Sequence, residues 1–386
     1  MDFSLEPEIV ALKKMVRDFA DKEIAPNAAD WCEKGETPTH IFKQLGDLGL
    51  MGMLVPEKWG GTEAGMVAYV AVMEEIGRAD QSVAAGWNAH STIASLPLVL
   101  FGTDEQREKW LRPLAEGRNL AAFGLTEPGA GSDAAGISTK ARRVEGGWVI
   151  NGNKIFITNS GTDMTLGVTV LAQTGVSGEG RKEFGGFFVP TGTEGFTKSG
   201  SLKKLGWHAL DTRELSFVDC FIPEENLIGD ERAGLAQFLD ALDPGRISVA
   251  ALGLSLAQAA LELAITYAGQ RTQFGKPISS FQAISHKLAD MATEVETARW
   301  LVYRAAWLMD EGLPYRKEAA MAKLHASEVA NRVASASLQI HGGYGWMLES
   351  AISRFYADAK ILEIGEGTSE IQRNIIGREL LAGQRR

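Results

Sequence analysis

The chain has 386 residues, 45% hydrophobic and 23% charged, with a formal charge of −10 and a mean hydropathy of −0.07. That is the length and composition of a soluble globular protein of two or three domains. An acidic chain argues against nucleic acid or an anionic membrane as its main partner, since both need a basic surface, but a local arginine cluster could still hold a small phosphate ligand. Cys32 and Cys220 lie far apart without CxxC spacing, which argues against a disulfide framework or a zinc site.

The N-terminal stretch Met1-Asp2-Phe3-Ser4-Leu5-Glu6 has no basic or apolar leader pattern, so a cytoplasmic setting is expected. Residues 1–120 read as a helical domain. Pro7 opens a stripe of Ile9, Leu12, Val16 and Phe19, Ile41 and Leu45 make another, and Gly60-Gly61 precedes a helix through Val67, Val70 and Ile76. His90, in an apolar run ending at Pro97, reads as a satisfied buried histidine or pocket wall.

Residues 121–230 are glycine-rich and strand-like, a small β-barrel or sandwich. Asn151-Gly152 between Trp148-Val149-Ile150 and Lys154-Ile155-Phe156-Ile157-Thr158 predicts a hairpin with a tight turn. Residues 186–190 and 214–218 predict further strands, and 178–182 an exposed loop tip. Gly129-Ala130-Gly131-Ser132-Asp133-Ala134 matches a dinucleotide fingerprint on paper, but Pro128 precedes it and β-like sequence follows, so that reading is rejected. The loop remains rich in N–H and hydroxyl donors suited to a polarised ring edge or phosphate.

Residues 231–386 predict a four-helix bundle, so the whole chain reads as α+β in the order α, β, α. The apolar run Ile247 to Ile265 keeps a helical stripe broken by Ser248, Ser255, Gln258 and Glu262, which favours a core helix over a membrane span. Near the end, Gly365-Glu366-Gly367-Thr368-Ser369 sets a lone acid between two glycines. Ser369 with Gln372 forms a capping-box pattern, so a helix is predicted to start there, placing the acid at a helix mouth.

Several segments in order resemble the acyl-CoA dehydrogenase family. They are Phe123-Gly124-Leu125-Thr126-Glu127-Pro128-Gly129-Ala130-Gly131-Ser132-Asp133, Lys154 to Thr158, Gln270 to Pro277 with Phe281-Gln282-Ala283-Ile284, Gln339 to Gly345, and Gly365 to Glu370. The resemblance covers nearly the whole chain. It implies FAD as cofactor, with Phe123, Leu125, Thr126, Gly131, Ser132, Phe156 and Thr158 around the flavin ring, Phe156 against it and Thr158 donating to it. It further implies Arg271, Phe274, Gln282, Gln339, Ile340, Gly342 and Gly343 on the pyrophosphate and adenine side, usually of a neighbouring subunit, and Thr368 and Glu370 as cofactor contacts. A homotetramer is the implied assembly.

By the same resemblance the reaction is α,β-dehydrogenation of an acyl-CoA thioester, with Glu366 removing the α-proton and electron-transferring flavoprotein as the acceptor. Ser132, Asp243, Arg246 and Gly367 are implied substrate contacts, Asp243 and Arg246 at the mouth of a long helix. Once an apolar acyl chain is bound and dries the site, desolvation is expected to raise the Glu366 pKa by more than the helix terminus lowers it. Two positions depart from the usual pattern. Gly365 stands where tyrosine is frequent, and Gly245 stands where another branch carries its glutamate. The competing readings are an oxidase, enoyl-CoA reductase or desulfinase on the same scaffold. More remote are an idle flavoprotein, which the retained Glu366 disfavours, and a DNA-binding relative, which the charge disfavours.

Overall fold

The computed structural model describes residues 4–382, so Met1 to Phe3 of the leader reading lie outside it. The predicted stripes fold as α1 (Pro7–Phe19), a short helix Thr39–Asp47, α2 (Gly65–Ala79) and α3 (Gln81–Ala89). Asp80 caps α3 by accepting from Val83 N–H at 2.8 Å. A single wide turn, His90–Ala94, continues α3. The His90 ring is fully buried, with Nε2 3.1 Å from the Leu114 carbonyl and Nδ1 accepting from Ala121 N–H at 3.3 Å, so burial pushes its pKa down to about 4. It is the satisfied histidine that the sequence suggested, tying this helix to the first strand.

The strands are β1 (Leu120–Gly124), β2 (Lys140–Val144), β3 (Gly147–Thr158), β4 (Thr165–Val176), β5 (Lys182–Pro190), β6 (Phe196–Lys198), β7 (Thr212–Pro223) and β8 (Leu227–Ile228). They run in the order β6-β7-β3-β2-β4-β5-β8, with β1 parallel to β4. The β2–β4 junction holds by the single pair Lys140 and Gln173, so the sheet folds into two leaves. Trp148, Ile150 and Phe217 from one leaf share a core with Val168, Val170 and Phe187 from the other.

The hairpin predicted at Asn151-Gly152 does not form. β3 runs straight through these residues, and the register slips between Ile150 and Gly152 against β7. Asn151 instead exchanges hydrogen bonds with Asp219 of β7, and a Cβ on Gly152 would come 2.4 Å from the Thr139 hydroxyl. The glycine serves close packing at a bulge. The reversal lies at Glu145-Gly146, where Gly146 has φ +76°.

The bundle consists of α4 (Gly234–Gln270), α5 (Gln282–Asp310) and α6 (Arg316–His341), with α7 (Ala351–Ala359) and α8 (Ser369–Ala382) sharing the remaining side. α4 begins well before the predicted position and carries Pro244 inside it, so Asp243 and Arg246 lie within the helix rather than at its mouth. Among the described residues α4 is the one helix long and apolar enough to cross a membrane, yet 72% of that window is buried inside the protein. Its Leu252 and Leu256 share one core with Tyr69, Val72 and Ile76 of α2 and Val302 of α5, so the N-terminal helices and the bundle pack as one layer.

Candidate active site

Glu366 follows a short turn, Lys360–Glu363, that ends with Gly365 N–H donating to the Ile361 carbonyl at 2.8 Å. Its φ is +50° and that of Gly367 is +93°, so the chain doubles back at the acid. A non-glycine residue in this region needs support from its surroundings. Gln372 Nε2 provides some, donating to the carbonyls of Glu366 at 3.3 Å and Gly367 at 3.0 Å. Lys323 Nζ, from α6, donates to the Gly367 carbonyl at 2.7 Å. The predicted cap is shifted by one residue: Thr368, not Ser369, receives the Ile371 N–H, at 3.3 Å, and Ser369 is the first residue of α8. Gln372 therefore holds the turn at Glu366 and Gly367 instead of closing a capping box.

The Glu366 carboxyl points inward. Asn88 of α3 donates to Oε1 at 3.3 Å, and Tyr69 of α2 in turn donates to Asn88 Oδ1 at 3.0 Å. Oε2 is buried with no hydrogen-bond partner and faces α4, where a Cβ on Gly245 would come 2.5 Å from it. Burial pushes the Glu366 pKa up to about 7, against the pull of the Lys323 and Arg246 charges and the Asn88 hydrogen bond. Burial thus dominates before any ligand is considered. Arg246 is buried and bonded to Asp243, which also pairs with Arg316 at 3.4 Å. Burial and the nearby Arg316 bring the Arg246 pKa down to about 10.

The loop after β1 is fixed from below. Lys154, fully buried, pairs with Glu127 at 2.9 Å and donates to the Leu125 carbonyl at 3.1 Å. Glu127 also accepts from the N–H groups of Ser138 and Thr139, and Ile155 N–H donates to the Thr126 carbonyl at 2.9 Å. This joins Leu125 and Thr126 to the strand that presents Phe156. Gly131 and Ser132 stay exposed at the loop's outer edge. Phe156 sits at a register shift with φ +62° and is 65% exposed, its ring standing off the sheet. One residue beyond Thr158, Asn159 donates to the Gly86 carbonyl at 2.8 Å, so β3 is anchored two residues before Asn88. Phe123 packs on Phe238 of α4, with ring centroids 4.9 Å apart.

At one end of the bundle a cavity of about 440 Å³ is lined by Arg271, Ile340, Gly342 and Gly343, with Tyr344 beneath the Arg271 guanidinium. Phe274, 92% exposed, and Gln282, also exposed, belong to the hairpin and helix start beside it, and Gln339 is exposed at the end of α6.

Models of the acyl-CoA dehydrogenase N-terminal, middle and C-terminal domains match residues 6–118, 122–220 and 232–381. The chain belongs to the acyl-CoA dehydrogenase family. It is 48% identical over 381 residues to a probable acyl-CoA dehydrogenase of Bacillus subtilis, covering 99% of this chain and 100% of the relative. Butyryl-CoA dehydrogenase of Megasphaera elsdenii superposes with a TM-score of 0.95 at 42% identity, covering 99% of this chain and all of the other. A chain from the structure of the electron transferring flavoprotein of Acidaminococcus fermentans superposes equally well, TM-score 0.95 at 39% identity, covering 99% and 100%.

Acyl-CoA dehydrogenases are oxidoreductases that use FAD, and the residues here fit that group. Phe156 offers an exposed ring face on a rigid bulge, and Cβ atoms on Gly342 or Gly343 would meet nothing within 4 Å, leaving a backbone cradle beside Arg271. Phe156 would lie against the flavin ring, and Arg271 with the 342–343 turn would take the pyrophosphate. The sequence reading missed Asn88, Tyr69 and Lys323. For Lys323 a signal existed: it interrupts the alanine stripe of Ala319, Ala326 and Ala330 at helical spacing. For Asn88 there was none, because its role depends on a residue 278 positions away.

Proposed function

We propose that this acyl-CoA dehydrogenase oxidises a saturated, short-to-medium-chain acyl-CoA to the trans-2-enoyl-CoA, with Glu366 as the base that removes the α-proton. The observation that carries this is the buried, unpartnered Oε2 of Glu366, on a carboxyl whose pKa lies at about 7. A base with that proton affinity is half ionised near neutral pH and strong enough to help deprotonate a polarised thioester. FAD, when bound, supplies the acceptor for the hydride that leaves the β-carbon.

In this reading the backbone N–H of Glu366, on a turn where its φ is +50°, takes the thioester oxygen. Asn88 holds Oε1 and leaves Oε2 to receive the proton. Asp243 and Arg246 would meet the CoA portion, and Gly367 the acyl thioester. In this reading Thr368 and Glu370 contact the cofactor from the start of α8. Thr368 Oγ1 already caps that helix and Glu370 is exposed beside it. Electrons pass to an electron-transferring flavoprotein, a partner that the Acidaminococcus fermentans neighbour supports. A cytoplasmic homotetramer with domains at 1–120, 121–230 and 231–386 completes the proposal.

The test is anaerobic bleaching of the flavin by straight, branched and aromatic acyl-CoAs, followed by turnover with a dye acceptor and with oxygen. Glu366→Gln should keep the yellow flavin and bind ligand while losing about 10²–10⁴-fold in turnover. Substantial residual turnover would remove Glu366 from the role. Reoxidation by oxygen alone at full rate would mark an oxidase instead.

A further inference from the structure

We infer that Lys323 is a positioning residue for this reaction: its buried ammonium group pins the turn at Gly367 and its charge favours the carboxylate form of the neighbouring Glu366. The inference rests on Glu366 being the base. Lys323 lies on α6 with no exposed surface. Lysine is almost never fully buried without a charged partner. Here its partner is a neutral main-chain carbonyl, Gly367 O at 2.7 Å. Among the described residues no carboxylate forms an ion pair with Nζ.

A cation held one peptide away from a buried acid therefore acts on it through space, where low polarisability strengthens the effect. Burial brings the Lys323 pKa down to about 8, and Glu366 is the largest of the charges that raise it again. In the other direction, Lys323 is the largest charge that draws Glu366 down. The remaining groups around the pair are Arg246 on α4, which acts on Glu366 in the same sense, Tyr69 and Asn88 on α2 and α3, and Glu363 and Glu370, which act on Lys323.

The structure contains its own control. Gln372 donates to the same Gly367 carbonyl at 3.0 Å and to the Glu366 carbonyl at 3.3 Å, without carrying a charge. If holding the turn were the whole task, removing either donor would have one kind of consequence. The charge distinguishes them.

The experiment measures kcat/KM against pH for FAD-loaded wild type, Lys323→Met, Lys323→Gln, Lys323→Arg and Gln372→Leu. In the Met and Gln variants the acid limb should move up by about one pH unit, a loss of about tenfold below the limb that is recovered at high pH. In Lys323→Arg and Gln372→Leu the limb should stay in place, with any loss uniform across pH. Unmoved limbs in both neutral Lys323 variants, or an equal displacement in Gln372→Leu, would overturn the inference. If Lys323→Met fails to retain flavin, the Gln and Arg pair decides the same question. Wild type that oxidises no acyl-CoA, or an active Glu366→Gln, would instead remove the base assignment itself, a different outcome from any displacement of the limb.

Discussion

The carboxyl of Glu366 lies where a side chain on Gly245 would begin: a Cβ there would come 2.5 Å from Oε2 and 3.2 Å from Ile93 Cγ2. Residues 121 positions apart thus serve one point in space, and only one can carry bulk. Gly245→Ala should therefore displace the acid and lower kcat/KM by about tenfold or more while the protein stays folded and yellow, since overpacking costs about 1–3 kcal/mol. The converse also follows. Gly245→Glu in a Glu366→Gly background should regain part of the lost turnover, because the new side chain would begin beside the position of the old carboxyl. Steady-state kinetics of the three variants checks both statements.

Lys154 and Glu127 form a second buried pair at 2.9 Å, and Glu127 is held well below the usual range, at about 2, by Thr139, Lys154 and Ser138 against the cost of burial. Lys154→Met would leave a buried carboxylate without its cation. Breaking such a pair costs about 3–5 kcal/mol. The expected result is a lower unfolding midpoint together with weaker FAD binding, because the same lysine holds the Leu125 carbonyl.

Phe156 is different in kind. Its ring is 65% exposed, so it adds little to the core, yet its φ of +62° is an unfavourable conformation for an aromatic residue. Phe156→Ala should leave the midpoint of flavin-free protein within a few degrees of wild type while weakening FAD retention. Fluorescence of flavin released on dilution measures this directly. Equal retention would show that the ring does not meet the flavin.

Asp358 of α7 accepts from Trp207 N–H at 2.5 Å, and burial raises its pKa to about 7, with Asp80 raised to about 6 nearby. Both folded-state values exceed the ordinary value of 3.8, so between pH about 4 and 7 the folded chain binds more protons than the unfolded one. Stability from these groups is therefore present at low pH and falls as pH rises through that window, by up to about 1.4 kcal/mol per unit for each group. Asp358→Asn keeps an acceptor for Trp207 and removes the titration. Its thermal midpoint relative to wild type should rise from pH 5 to pH 8; a constant difference would refute the burial argument.

The helical stripes of α1 and α2, the satisfied His90 and the acid between two glycines were all legible, because each is a local pattern of spacing or backbone permission. The start of α4 was not. Pro244-Gly245 looks like a helix entrance, but proline removes only one backbone donor and so leaves only one carbonyl unpaired, and burial against α2 and α6 carries the helix across it. The Asn151-Gly152 turn failed for a related reason. Asn-Gly favours a reversal, but pairing with β7 along the whole of β3 outweighs a two-residue preference.

By itself the sequence determined the order of the three parts and the family likeness, and it singled out the acid proposed as base, since these rest on periodicity and on motifs that keep their meaning in isolation. Tertiary structure alone decided that acid's proton affinity. Asn88 and Gly245 meet the Glu366 carboxyl and Lys323 the peptide next to it, from three separate helices, and the energy of a buried charge depends on which groups surround it, however far apart they stand along the chain.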